Sequence, residues 1–78
     1  MITISARAHG NLRRHFPGGR DEADFTLPDG SRVVDLLKAI GMPDVEVWMV
    51  SVNDLLAKPE QILFDGDRVN IFAPVAGG

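Results

Sequence analysis

Only one stretch of this chain repeats its apolar residues at helical period. Val33, Leu36, Leu37 and Ile40 stand at i, i+3, i+4 and i+7, a single stripe on one helix face. Asp35 in the first turn and Lys38 nearer the end both suit the helix dipole. Ser31 is placed to cap the start or to precede the cap, and Gly41 and Pro43 close the end. A helix this short does not stand alone and must pack against something else. The only partner available within 78 residues is a sheet built from the rest of the chain.

The flanking segments read at period two. Ile2 to Ala8 sets Ile2, Ile4, Ala6 and Ala8 inward against Thr3, Ser5 and Arg7. Asn11 to Phe16 suits one or two helical turns with Leu12 and Phe16 on one face, and Pro17-Gly18-Gly19 stops it. Ala23 to Leu27 alternates with Phe25 and Leu27 inward, and Pro28-Asp29-Gly30 turns the chain. Val45 to Val52 reads as the longest strand, with Val45, Val47 and Met49 toward the core and Trp48 outward. Leu55 to Ala57 is a brief strand, Ile62, Leu63 and Phe64 are expected to pack beneath a loop, and Asp65-Gly66-Asp67 turns into a last strand, Arg68 to Phe72. One helix can cover only one face of a small mixed sheet, so the class is α+β, and the element order fits a β-grasp fold with both terminal strands near the middle.

Several classes of chemistry are excluded. The chain has no cysteine, hence no disulfide, thiolate metal site or cysteine nucleophile of its own. His9 and His15 are too few for a metal cluster and read as surface or packing residues. Gly18-Gly19 lacks the lysine and helix of a phosphate loop. The net charge of -3, from 8 basic and 11 acidic residues, argues against nucleic acid. No signal peptide and no run of the ~20 apolar residues needed to span a bilayer is evident, so a cytoplasmic monomer with no membrane association is expected.

The ending, Pro74-Val75-Ala76-Gly77-Gly78, follows a patterned strand. A glycine pair has the freest backbone available and no side chain to bury, so the expected division is a domain over 1–73 and an extended tail over 74–78. Pro74 stiffens the base of that tail. Any chemistry belonging to this chain is expected at the carboxylate of Gly78, because no nucleophile, base and charge stabiliser combine elsewhere. Phe72 alternates against Val69 and Ile71, so it either faces a partner beside the tail or covers the sheet edge internally. Trp48 either extends that surface or is simply half-buried. Arg13 and Arg14 are placed at its polar rim.

The tail Phe72 to Gly78, the turn Leu63-Phe64-Asp65-Gly66-Asp67-Arg68-Val69, the pair Val52-Asn53, the helix Val33 to Ile40 and Gly10-Asn11-Leu12-Arg13 together resemble the MoaD/ThiS family of sulfur carriers. The resemblance spans nearly the whole chain, and its proline-valine ending leans toward the MoaD branch. It implies a ubiquitin-like fold and a non-catalytic carrier with no bound cofactor. It also implies a partner adenylating enzyme that uses ATP on Gly78, followed by conversion to a thiocarboxylate. The sulfur then goes to molybdopterin, in complex with the larger subunit of molybdopterin synthase. Thiamine thiazole, another sulfur-transfer pathway or protein modification stands as the alternative destination. On this reading Gly77 and Gly78 are the reacting end, and Phe72, Pro74, Val75, Ala76, Trp48, Arg13 and Arg14 contact partners.

Overall fold

The alternation of the first segment becomes β1 (Ile2–Ala8) in a computed structural model that describes residues 1–74. Ile2, Ile4, Ala6 and Ala8 are buried, while Thr3 and Arg7 are exposed on the opposite face. β2 (Glu22–Leu27) pairs with it antiparallel, from Ile2 opposite Leu27 to Arg7 opposite Glu22. Between them lie two 3₁₀ segments, Gly10–His15 and Pro17–Gly19. They deliver Leu12 and Phe16 to the core, where Phe16 meets Phe25 edge-on with centroids 5.4 Å apart.

The helix α1 (Val33–Ile40) buries Val33, Leu36 and Leu37, as its stripe requires. Of the two places expected for Ser31, its start takes the one just before the cap. Ser31 Oγ donates to Pro28 O at 2.7 Å, which closes the preceding turn, and Arg32 occupies the cap position. An arginine side chain has no acceptor to offer. The free helix N–H groups are satisfied from elsewhere: Val33 N–H donates to Gln61 O and Val34 N–H to Pro59 O, both at 3.0 Å. Asp35 Oδ2 accepts from Arg32 N–H at 2.9 Å, one half of a capping box. At the other end Gly41 takes φ 84°, and Met42 N–H reaches back to Leu37 O at 2.9 Å with its side chain buried.

β3 (Met49–Val52) and β4 (Leu55–Ala57) form a hairpin whose two loop residues, Asn53 and Asp54, both have positive φ, the combination a tight two-residue turn needs. β5 (Arg68–Phe72) lies between β1, to which it is parallel, and β3, to which it is antiparallel. The five-stranded order is β2-β1-β5-β3-β4, with both terminal strands inside. α1 packs on one face of this sheet, and the arrangement is a β-grasp, ubiquitin-like fold.

Two expectations are corrected. The strand expected from Val45 begins only at Met49, because Asp44–Glu46 forms a 3₁₀ turn after Pro43. Pairing with β5 then sets the register: Val50 opposes Ile71 and Val52 opposes Val69, all buried, so Met49 lies on the other face and Val45 is 89% exposed. Of the three residues assigned inward, only Val47 packs against the core. Second, Ile62 and Phe64 do not pack beneath a loop. The segment runs extended beside Arg32, with Leu63 N–H donating to Ser31 O at 2.8 Å. Extended backbone turns alternate residues to opposite sides, so Leu63 alone is buried.

Candidate functional site

The end of β5 carries the chain out of the sheet beside the first 3₁₀ segment. Ala8 opposes Ile71 in the parallel pair, and His9 N–H donates to Ile71 O at 2.9 Å. Gly10 follows with φ 66°, a conformation that favours glycine, and a Cβ built there would lie 3.9 Å from that of Ala73. The backbone of this turn therefore runs beside Ala73, just after β5.

Phe72 opposes Met49 and faces away from α1, since its neighbour Ile71 is fully buried on the helix side. It is half-buried because the His9 imidazole stacks on it, centroids 4.4 Å apart and planes 11° from parallel. His9 Nε2 lies 2.9 Å from Asn70 Oδ1. With Asn70 in this orientation its oxygen only accepts, so Nε2 carries the proton. The ring is thus fixed by a stack and a hydrogen bond to successive outward residues of β5.

Trp48 is 61% exposed and its backbone N–H donates to Phe72 O at 2.7 Å. It points outward as expected, although it precedes β3 and the core side of that strand belongs to Val50 and Val52. Trp48, Phe72, Ala73 and Pro74 line one groove together with His9, Gly10, Asn11, Val45 and Glu46.

The two arginines assigned to the rim are not equivalent. Arg14 donates through Nη1 to Asn11 O at 2.8 Å, and its guanidinium pairs with Glu46. His15 Nε2 stands 3.2 Å from the same Glu46 oxygen. The His15 hydrogen bond is the main reason the Glu46 carboxyl sits below its ordinary value; partial desolvation opposes this, and Arg14 reinforces it by hydrogen bond and charge. The cluster ties Gly10–His15 to Asp44–Glu46, the two turns that flank the groove. Arg13 is exposed, does not line the groove and has no ion pair among the described residues. Val75, Ala76, Gly77 and Gly78 lie outside the described residues.

Sequence reasoning missed His9, Val45 and Glu46 as parts of this surface. For His9 a signal existed, since it directly follows a strand expected to neighbour the last one. For Glu46 there was none, because its partners are more than thirty positions away.

Among the described residues no three metal-ligating side chains gather, and no buried side-chain nitrogen or oxygen lacks a hydrogen-bond partner. No helix of the described residues is long and apolar enough to cross a membrane. The groove combines aromatic and small apolar groups with Asn11 and Glu46.

A five-stranded sheet of this order with one helix on one face is the ubiquitin-like form of the β-grasp fold. The chain belongs to the ThiS family, whose model matches residues 11–78, and thereby to the MoaD/ThiS superfamily of ubiquitin-like sulfur carriers. Among solved structures it is similar to a Pyrococcus furiosus protein assigned as subunit 1 of a molybdopterin converting factor. The two are 27% identical over 96% of this chain and 100% of that one, with a TM-score of 0.79. Small archaeal modifier protein 1 of Haloferax volcanii shares the fold at 16% identity, covering 96% of this chain and 100% of its own, TM-score 0.80. The fold is also found in a complex of subunits 1 and 2 of the molybdopterin-converting factor of Helicobacter pylori, at 18% identity over 99% and 100% of the two chains, TM-score 0.66. No curated protein matches the sequence.

Proposed function

We infer that this chain is a sulfur carrier whose C-terminal Gly78 is adenylated and then converted to a thiocarboxylate by partner enzymes, for donation to molybdopterin. The observation that carries this reading is the family match, which runs through residue 78 and so includes the glycine pair. The Pyrococcus furiosus likeness supports the molybdopterin branch over the thiazole branch. The proposed division is a globular part over 1–73 and a tail over 74–78.

A carboxylate is a poor electrophile, because its charge repels nucleophiles and oxide is a poor leaving group. On the partner enzyme the Gly78 carboxylate attacks the α-phosphorus of ATP, and pyrophosphate leaves. A persulfide then attacks the acyl carbon, and AMP departs with the electron pair of the broken C–O bond. A thiol on the partner attacks the persulfide carrier's own sulfur in the resulting acyl disulfide, losing its proton and forming a new disulfide there, and the thiocarboxylate departs with the electron pair of the broken S–S bond as a soft nucleophile for an electrophilic carbon. This chain contributes no cysteine and no ATP-binding element. Its own part is docking and reach. Gly77 and Gly78 pass through a narrow channel because no Cβ widens them. Pro74, Val75 and Ala76 extend toward it, and Phe72 and Trp48 anchor the globular face, with Arg13 and Arg14 at the rim.

The test is intact mass spectrometry of the chain after incubation with the cognate adenylating enzyme, ATP and a sulfur donor. The expected gain is the difference between one sulfur and one oxygen, located on Gly78. No gain with competent partners refutes the carrier reading. Supplying the loaded carrier either to the large synthase subunit with a pterin precursor or to a thiazole synthase then decides the acceptor.

A further inference from the structure

The backbone around Phe72 is held from both sides. The carbonyl before it, Ile71 O, accepts from His9 N–H, and its own carbonyl accepts from Trp48 N–H. Neither bond decides where the ring points. Two χ1 wells are common for a side chain on a strand, and the backbone ladder does not choose between them. The choice falls to whatever stands beside the ring on the outward face. On one side Met49 opposes Phe72 from β3. On the other, the register that sets Ala8 opposite Ile71 brings His9 level with Phe72 one residue later.

His9 is itself held at three points. Its N–H is bonded to Ile71 O, its Nε2 to Asn70 Oδ1, and its ring is stacked on Phe72. Phe72 cannot swing to its other well without giving up the stack, and His9 cannot follow it without giving up Asn70. The imidazole therefore acts as a fixed wall for one χ1 well of Phe72.

This wall is not needed to build the core. Neither His9 nor Phe72 belongs to the buried cluster, and both are half-buried. β1 and β5 are already joined along Ser5 to Ala8 and Arg68 to Ile71. What the imidazole adds is the placement of one aromatic ring in a groove that both residues line.

We propose that His9 is a positioning residue for docking: it holds the Phe72 ring in the orientation that the adenylating enzyme meets, and it acts through Phe72 rather than by a contact of its own. The inference rests on the reading of Phe72 as an anchor for that enzyme. A partner that must itself order a free side chain binds less tightly, by roughly two- to tenfold for one such group.

The test is pyrophosphate release by the cognate adenylating enzyme with ATP, measured against the concentration of the full chain. His9→Ala should raise the half-saturating concentration roughly two- to tenfold and leave the maximum in place. His9→Gln, which keeps a donor for Asn70 but loses the ring, should match it. His9→Phe, which keeps a flat ring to stack, should restore the parent value. Phe72→Ala raises the half-saturation by itself, and adding His9→Ala to it should change nothing further. Three-bond NMR couplings about the Phe72 Cα–Cβ bond give a readout without the partner: one χ1 rotamer in the parent, averaging in His9→Ala, with a dispersed native spectrum in both. An unchanged half-saturation for His9→Ala beside a raised one for Phe72→Ala overturns the inference and leaves the anchor standing. A single Phe72 rotamer retained in His9→Ala overturns it as well. So does an equal rise from His9→Ala in both backgrounds, because His9 then meets the partner directly. An unchanged value for Phe72→Ala refutes the anchor, and the inference with it.

Discussion

The imidazole of His9 lies nearly parallel to the ring of Phe72, with centroids 4.4 Å apart, and joins the end of β1 to the end of β5. A stacked pair of this kind contributes about 0.5–1.5 kcal/mol beyond simple burial. A double-mutant cycle of His9→Ala and Phe72→Ala, read by urea denaturation, should therefore return a coupling of that size. Additive losses mean that the stack does not persist in solution.

Glu46 supplies a pH-dependent fastening across the groove. Its folded carboxyl lies below the ordinary value because it accepts from His15 and Arg14. A group depressed in this way adds stability above its unfolded value, near 4.5, and that contribution disappears as the pH falls through the folded value. Melting temperature should thus fall more steeply below pH ~4.5 in the parent chain than in Glu46→Gln, the two curves converging in stronger acid. Parallel curves indicate that the pair is not formed.

The turn into β5 depends on one carboxylate. Asp67 is buried and accepts from Asn53 Nδ2 and from Phe64 N–H. Removing it leaves both donors without their charged partner, and hydrogen bonds to charged groups contribute about 1.5–3 kcal/mol. Asp67→Ala should therefore lower unfolding free energy by ~2–3 kcal/mol in chemical denaturation. It should also broaden the amide signals of Asn53 and Arg68. A loss under ~0.5 kcal/mol, the ordinary scatter of surface substitutions, removes this network from the account of stability.

The pattern of success in reading the sequence follows from how far each determinant lies along the chain. β1 and α1 were legible because Ile2, Ile4, Ala6 and Ala8, and Val33, Leu36 and Leu37, encode their burial locally. The side facing inward in β3 was not, because it is fixed by Ile71 and Val69 of β5. Val45 followed from Pro43-Asp44 more than from its own β preference, and the helix start from carbonyls at Pro59 and Gln61 rather than from Ser31. At the candidate site, alternation put Phe72 and Trp48 on the outward side, where they lie. His9 on Phe72 could be approached only through the expected pairing of the terminal strands, and Glu46 between Arg14 and His15 is a contact of long sequence separation that no spacing rule reveals.

The last prediction separates docking from chemistry. Phe72 is half-buried and off the helix side, so Phe72→Ala should cost less than the ~3–5 kcal/mol of a fully buried phenylalanine and leave the fold intact. Its proposed part in docking predicts weaker binding to the adenylating enzyme by titration calorimetry, with activation recovered at saturating carrier. Gly78→Leu should do the reverse, sparing the globular contact while blocking adenylation, since the added side chain sits at the reacting carboxyl. Pyrophosphate release measured against carrier concentration distinguishes the two: a raised half-saturation for Phe72→Ala, a lost maximum for Gly78→Leu. If Phe72→Ala unfolds the chain, the ring is structural and the anchor must be sought at Trp48 and Val45. If Gly78→Leu is adenylated normally, the tail is not read at its terminus and the carrier proposal fails.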